Sequence, residues 1–132
     1  MTDERVERLR ELADRCEKAE GPDRELDLAI VSAAHEMGFA IYGERVNYDP
    51  ILWLDRYGYI TASLDAAMTL VPDKYQDRFL IDAHGAWLDP HYMYFSEGEA
   101  DFYAYASTPA LALCAAALRA IAALETIGKE RR

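Results

Sequence analysis

Asp82, His84, Asp89 and His91 fall within ten residues, and all four side chains are of types that ligate metal ions. At the end of a hairpin they would form a mononuclear site. Asp89-Pro90 interrupts the segment, however, and no HExxH-like helical spacing accompanies it. A polar hairpin end accounts for the same residues, so no metal and no cofactor is expected. His35-Glu36 falls near the end of an expected helix, where a histidine suits the negative end of the dipole. The sequence holds no GxSxG nucleophile turn and no GxxxxGK or GxGxxG phosphate loop. Cys16 on an apolar stripe and Cys114 in an apolar helix read as inert core thiols. No catalytic residue is assigned, and the expectation is a protein that is not an enzyme.

Two helix starts carry more chemistry. Thr61/Ser63 and Ser107/Thr108 each set hydroxyls beside backbone N–H groups at the head of an apolar run. Such places hold phosphates and carboxylates. Tyr59 and Trp87 supply flat apolar faces on which a base could stack. Arg78, at the start of the strand after the third helix, is the expected counter-charge. The plainer alternative is that the hydroxyls only cap helices and the aromatics only fill the core.

The elements that must position these residues follow from periodicity and punctuation. Residues 3–20 read as a charged helix with Val6, Leu9, Leu12, Ala13 and Cys16 on one stripe, and with i,i+4 pairs such as Glu4–Arg8 and Asp14–Lys18. Gly21-Pro22 stops it. Asp23 or Gly21 opens a second helix, and Gly38 closes it. Over 39–60 the aromatic-rich sequence is punctuated by Gly43, Pro50 and Gly58, and Ile51–Leu54 is either a short helix or a strand. Thr61 or Ser63 caps a third helix that Pro72 ends. Strands are expected over 78–82, from Ala86 onward and over 101–105, in an antiparallel meander. The last helix runs from Thr108 to about Ile127. It opens on a cap followed by proline and is apolar almost all round until Arg119, which requires deep burial.

Composition bounds the partners. The chain has 132 residues, 52 % of them apolar, which suits one domain that builds its core without staples. A formal net charge of −10 argues against nucleic-acid polymers and against anionic membranes. Two distant cysteines and a densely charged first twenty residues point to a reducing cytosol without a secretory leader. The apolar run Pro109–Leu118 is too short to cross a bilayer.

The segments YITASLDAAMTLVP over 59–72 and ASTPALALCAAALR over 106–119 bracket the strand-rich stretch. In this order they resemble the phage ABA sandwich domain family, and GPDRELD over 21–27 looks like that family's entry into its first helix. The resemblance spans roughly 21–123 and implies a phage or prophage setting in a bacterial host cytosol. It implies one α/β/α sandwich domain over 21–132, with the charged helix over 1–20 as an appended arm. The expected fold is α+β: a small antiparallel sheet sandwiched by helices, with a buried C-terminal helix at the centre. Several small phage folds capture nucleotide immune signals of the host, so the leading expectation is a non-enzymatic binder of a small anionic molecule such as a nucleotide. The expected contacts are Tyr59, Thr61, Ser63, Arg78, Trp87, Ser107 and Thr108. The alternative is an acidic protein-interaction module that inhibits or docks a host protein. A second copy of the chain is a further candidate partner.

Overall fold

A computed structural model describes residues 4–41, 44–58, 60–72, 79–81, 85–88 and 102–130. Helix α1 (Glu4–Lys18) buries the stripe expected of it, Val6, Leu9, Leu12, Ala13 and Cys16. Each large side chain in that stripe contributes roughly 1.5–3 kcal/mol on burial. Its charges reach across to neighbours: Arg8 pairs with Glu36, and Asp14 with Arg119. Helix α2 (Arg24–Met37) is capped by Asp23, whose carboxylate accepts from the Leu26 N–H at 3.1 Å. It ends at Gly38, left-handed at φ 84°, whose N–H reaches the Ala34 carbonyl. That left-handed conformation is what favours glycine at position 38, while the Arg45 guanidinium, 2.5 Å from where a Cβ would stand, ends a flexible side chain that can move aside.

Two short strands follow, β1 (Ala40–Ile41) and β2 (Glu44–Arg45), paired antiparallel. The stretch left open between helix and strand is a helix, α3 (Pro50–Tyr57), capped by Asp49 with proline in its first turn. A 3-10 turn over Ile60–Ala62 leads into the short α4 (Leu64–Met68). Ser63 is the cap of α4, while Thr61 sits inside the 3-10 turn.

Strands β3 (Phe79–Ile81), β4 (Gly85–Leu88) and β5 (Phe102–Tyr105) form an antiparallel sheet in the order β3-β4-β5. The register sets Trp87 opposite Tyr103 and Leu88 opposite Phe102. Helix α5 (Pro109–Glu130) closes the described chain. Ala110 to Leu118 are buried without a break, as is Ala120, so this helix has no solvent face between Ala110 and Leu118. Helix α1 lies along α5, while Ala86, Leu88 and Ala104 of the sheet pack against it from another side. The many alanines let these backbones approach closely. The class is α+β, with the C-terminal helix at the centre of one continuous core to which α1, α2, the sheet and α5 all contribute. Tyr103 and Tyr105 point away from that core and are more than half exposed.

Candidate functional site

Thr61 and Thr108, read in the sequence as separate helix starts, line one cavity of about 220 Å3 together with Pro22, Ala62, Leu64 and Pro109. Their polar groups are already engaged. The Thr61 hydroxyl accepts from the Asp23 N–H at 2.9 Å, and the Thr61 N–H donates to Asp27 Oδ1 at 2.7 Å. Thr108 Oγ1 accepts from the Leu111 N–H, and Pro109 brings no N–H to the first turn of α5. Ser63 caps α4 through the Ala66 N–H, and the Ser107 hydroxyl donates to the Ala19 carbonyl. All four hydroxyls therefore have structural bonds. Trp87 lies in β4, whereas Tyr59 and Arg78 fall outside the described residues.

An adjoining cavity of about 270 Å3 is lined by Pro22, Asp23, Arg24, Asp27 and Ala62. Here two carboxylates face one guanidinium, and none of the described lining residues is aromatic. Asp27 is only 1 % exposed. Burial pushes its carboxyl above the usual carboxylate range, while the hydrogen bonds from Thr61 pull the other way. By type and place Asp27 is an acid in the first turn of α2. Its cross-chain role as the acceptor for the 3-10 turn was not legible in the sequence.

The largest of these cavities is of another kind. A groove of about 560 Å3 runs between the start of β1, the end of α4 and the second half of α5. Phe39, Met68, Leu70, Val71, Ile121 and Leu124 make its wall, and Glu125 is the one charged group among its described lining residues. A second apolar feature lies in α3 and the loop before it. Trp53 is fully buried between Tyr48 and Tyr57, with ring centroids 5.4 and 4.3 Å away, and Arg56 lies over the Tyr57 ring. This cluster fastens the aromatic-rich stretch over 39–60 to the core. His35, expected at the dipole end of α2, donates from Nδ1 to the Val46 carbonyl at 2.7 Å and ties the same stretch down.

A charged cluster sits where the sequence suggested only a break in an apolar run. The Arg119 guanidinium pairs with Glu17 and Asp14 of α1 and donates to the Tyr103 carbonyl at 3.1 Å. Glu17 also accepts from the Tyr105 N–H at 3.0 Å. The Arg119 hydrogen bond holds the Glu17 carboxyl below its ordinary value of 4.5. A carboxylate held low stabilises the fold fully above its unfolded value, and that stability is lost as pH falls through the folded one. Glu17→Gln should therefore flatten the acid limb of stability below about pH 4.5. Urea unfolding of both proteins at pH 3 and 7 checks this, and an equal loss on acidification in the two would refute it.

Both cysteines are buried, and burial pushes the Cys16 thiol up to about 12 and raises the Cys114 thiol well above its ordinary range, as expected of inert core thiols. Among the described residues, no three His, Cys, Asp or Glu side chains gather to hold a metal ion. Asp82, His84, Asp89 and His91 lie outside those residues. No described helix is long and apolar enough to cross a membrane. No family model, curated protein or solved structure matches the chain.

Proposed function

We propose that this chain is a non-enzymatic protein-interaction module, of the phage or prophage accessory kind that its segments over 59–72 and 106–119 resemble. It docks a basic partner protein by taking an apolar anchor side chain into the groove beside Glu125. The observation that carries the reading is the groove itself. A concave wall of Phe39, Met68, Leu70, Ile121 and Leu124 offers apolar area, and the methionine gives it adaptable packing. Glu125 and the net charge of −10 favour a partner with lysine or arginine beside the anchor.

A second reading, capture of a small anion, draws support from Thr61 and Thr108 sharing one cavity. At about 220 Å3 that cavity is below the roughly 300–1,000 Å3 usual for ligand sites. Two carboxylates line the cavity beside it. Both features weigh toward the protein-interaction reading.

A displayed library of random peptides separates the two. Peptides enriched on the protein should share a bulky apolar residue flanked by Lys or Arg. Glu125→Lys, with an unchanged melting curve, should weaken them about tenfold or more, the equivalent of one lost charge pair worth about 1.4 kcal/mol. Calorimetry against cyclic and linear nucleotides is the other arm. A nucleotide that binds while no peptide is enriched would transfer the assignment to the small-anion reading.

A further inference from the structure

Ala40 lines the groove and is exposed, whereas its strand neighbour Ile41 is buried. The pairing of β1 with β2 decides where the Ala40 backbone points. Ile41 pairs with Glu44 across a link of two residues, and Ala40 pairs with Arg45. A link that short closes on a pair that exchanges both N–H···O bonds, since the alternative would bond two adjacent residues to each other. That pair is Ile41 with Glu44. Antiparallel pairs alternate, so Ala40 and Arg45 exchange no bonds, and the Ala40 N–H and carbonyl point away from β2. On that side the described sheet order has no further strand. Among the described residues no other hydrogen bond uses either group. We propose that the groove takes its partner as an extended segment, one residue of which pairs with Ala40 through both outward backbone groups. An apolar side chain of that segment enters beside Phe39, Ile121 and Leu124, and a Lys or Arg reaches Glu125. The proposal rests on the reading of the groove as a docking site for a basic partner and adds the conformation in which that partner binds.

The wall of the groove selects this shape. A helical ligand spends its backbone N–H and carbonyl groups on its own ladder and has none to offer Ala40 along its length. An extended segment carries unpaired groups on both edges and turns alternate side chains to one face. Two such side chains stand roughly 6.6 Å apart, close enough for one segment to supply both the anchor and the base. Backbone pairing then contributes affinity, and the apolar wall with Glu125 contributes selectivity.

The test uses peptides enriched on the wild-type protein from the displayed library, resynthesised with one backbone N–H methylated at a time and titrated by fluorescence anisotropy. One methylated position should weaken binding about fivefold or more, the loss of one net hydrogen bond, while both its neighbours change little. Ala40→Pro removes the outward N–H and leaves the ladder to β2 intact. With an unchanged melting curve, it should weaken the parent peptide by a similar factor. The methylation series needs only the wild-type protein, so it carries the test if Ala40→Pro does not fold. A flat series, or a folded Ala40→Pro protein that binds at full affinity, would overturn the extended mode. The docking reading would survive either result, because Glu125→Lys tests it separately. No enriched peptide at all would overturn both.

Discussion

Ala116→Glu should leave no cooperatively folded protein at 25 °C, and Ala117→Glu should do the same. Both alanines have no exposed surface, and the helix around them is buried on every side from Ala110 to Leu118. A glutamate there cannot turn to water, because no face of that part of α5 reaches it. The added volume alone costs about 1–3 kcal/mol in a packed interior. An unpaired buried charge adds roughly 3–5 kcal/mol. The sum meets or exceeds much of the roughly 5–15 kcal/mol by which a domain is stable. Ala123→Glu is the control, since that position is only half-buried about two turns further along the same helix. It should retain the wild-type circular dichroism spectrum and most of its urea midpoint. A wild-type midpoint for Ala116→Glu would remove α5 from the centre of the fold.

The central helix was legible because its signals are local. Thr108-Pro109 marks the start, and ten apolar or small residues without a polar face mark the burial. The same holds for α2, with Asp23 and Gly38 at its ends, and for the stripe of α1. Asp49-Pro50 carries the same start signal as Thr108-Pro109, but aromatic residues around it obscured the helical period, so α3 stayed open between helix and strand. Strands of two residues, such as β1 and β2, are too short to show an alternation. Thr61 and Ser63 are equivalent caps by residue type. What separates them is a pair of bonds from Thr61 to Asp23 and Asp27, more than thirty residues earlier in the chain. The groove was likewise out of reach, because Phe39, Met68 and Leu124 come from three separate parts of the chain. Arg119 looked like a terminator of burial, yet the fold uses it to join α1, α5 and β5.

Asp27 should separate its substitutions more sharply than any other polar residue described. Asp27→Ala should cost about 1–3 kcal/mol, because it leaves the Thr61 N–H of the 3-10 turn without its buried acceptor. That turn packs on α5 ahead of α4, so its loosening reaches the core. Asp27→Asn keeps an oxygen for the same N–H and brings no charge into the site, so it should be at least as stable as the wild type at neutral pH. The pH dependence fixes the sign. Burial raises the Asp27 carboxyl above its unfolded value of 3.8, so the folded protein holds that proton more firmly than the unfolded chain does. Its contribution is fully present below pH 3.8 and is lost as pH rises through the raised folded value. The advantage of Asn over Asp should therefore be near zero in acid, where Asp27 is a neutral isostere, and should grow toward pH 7. This is opposite in sign to the Glu17 effect, so the two variants must diverge across the same titration. Urea unfolding of wild type, Asp27→Asn and Asp27→Ala at pH 3.5, 5 and 7 makes the comparison. A difference between Asn and wild type that does not change with pH would show that the buried carboxylate carries no desolvation cost. An Asn variant as unstable as Ala at pH 7 would show that the negative charge itself holds the turn.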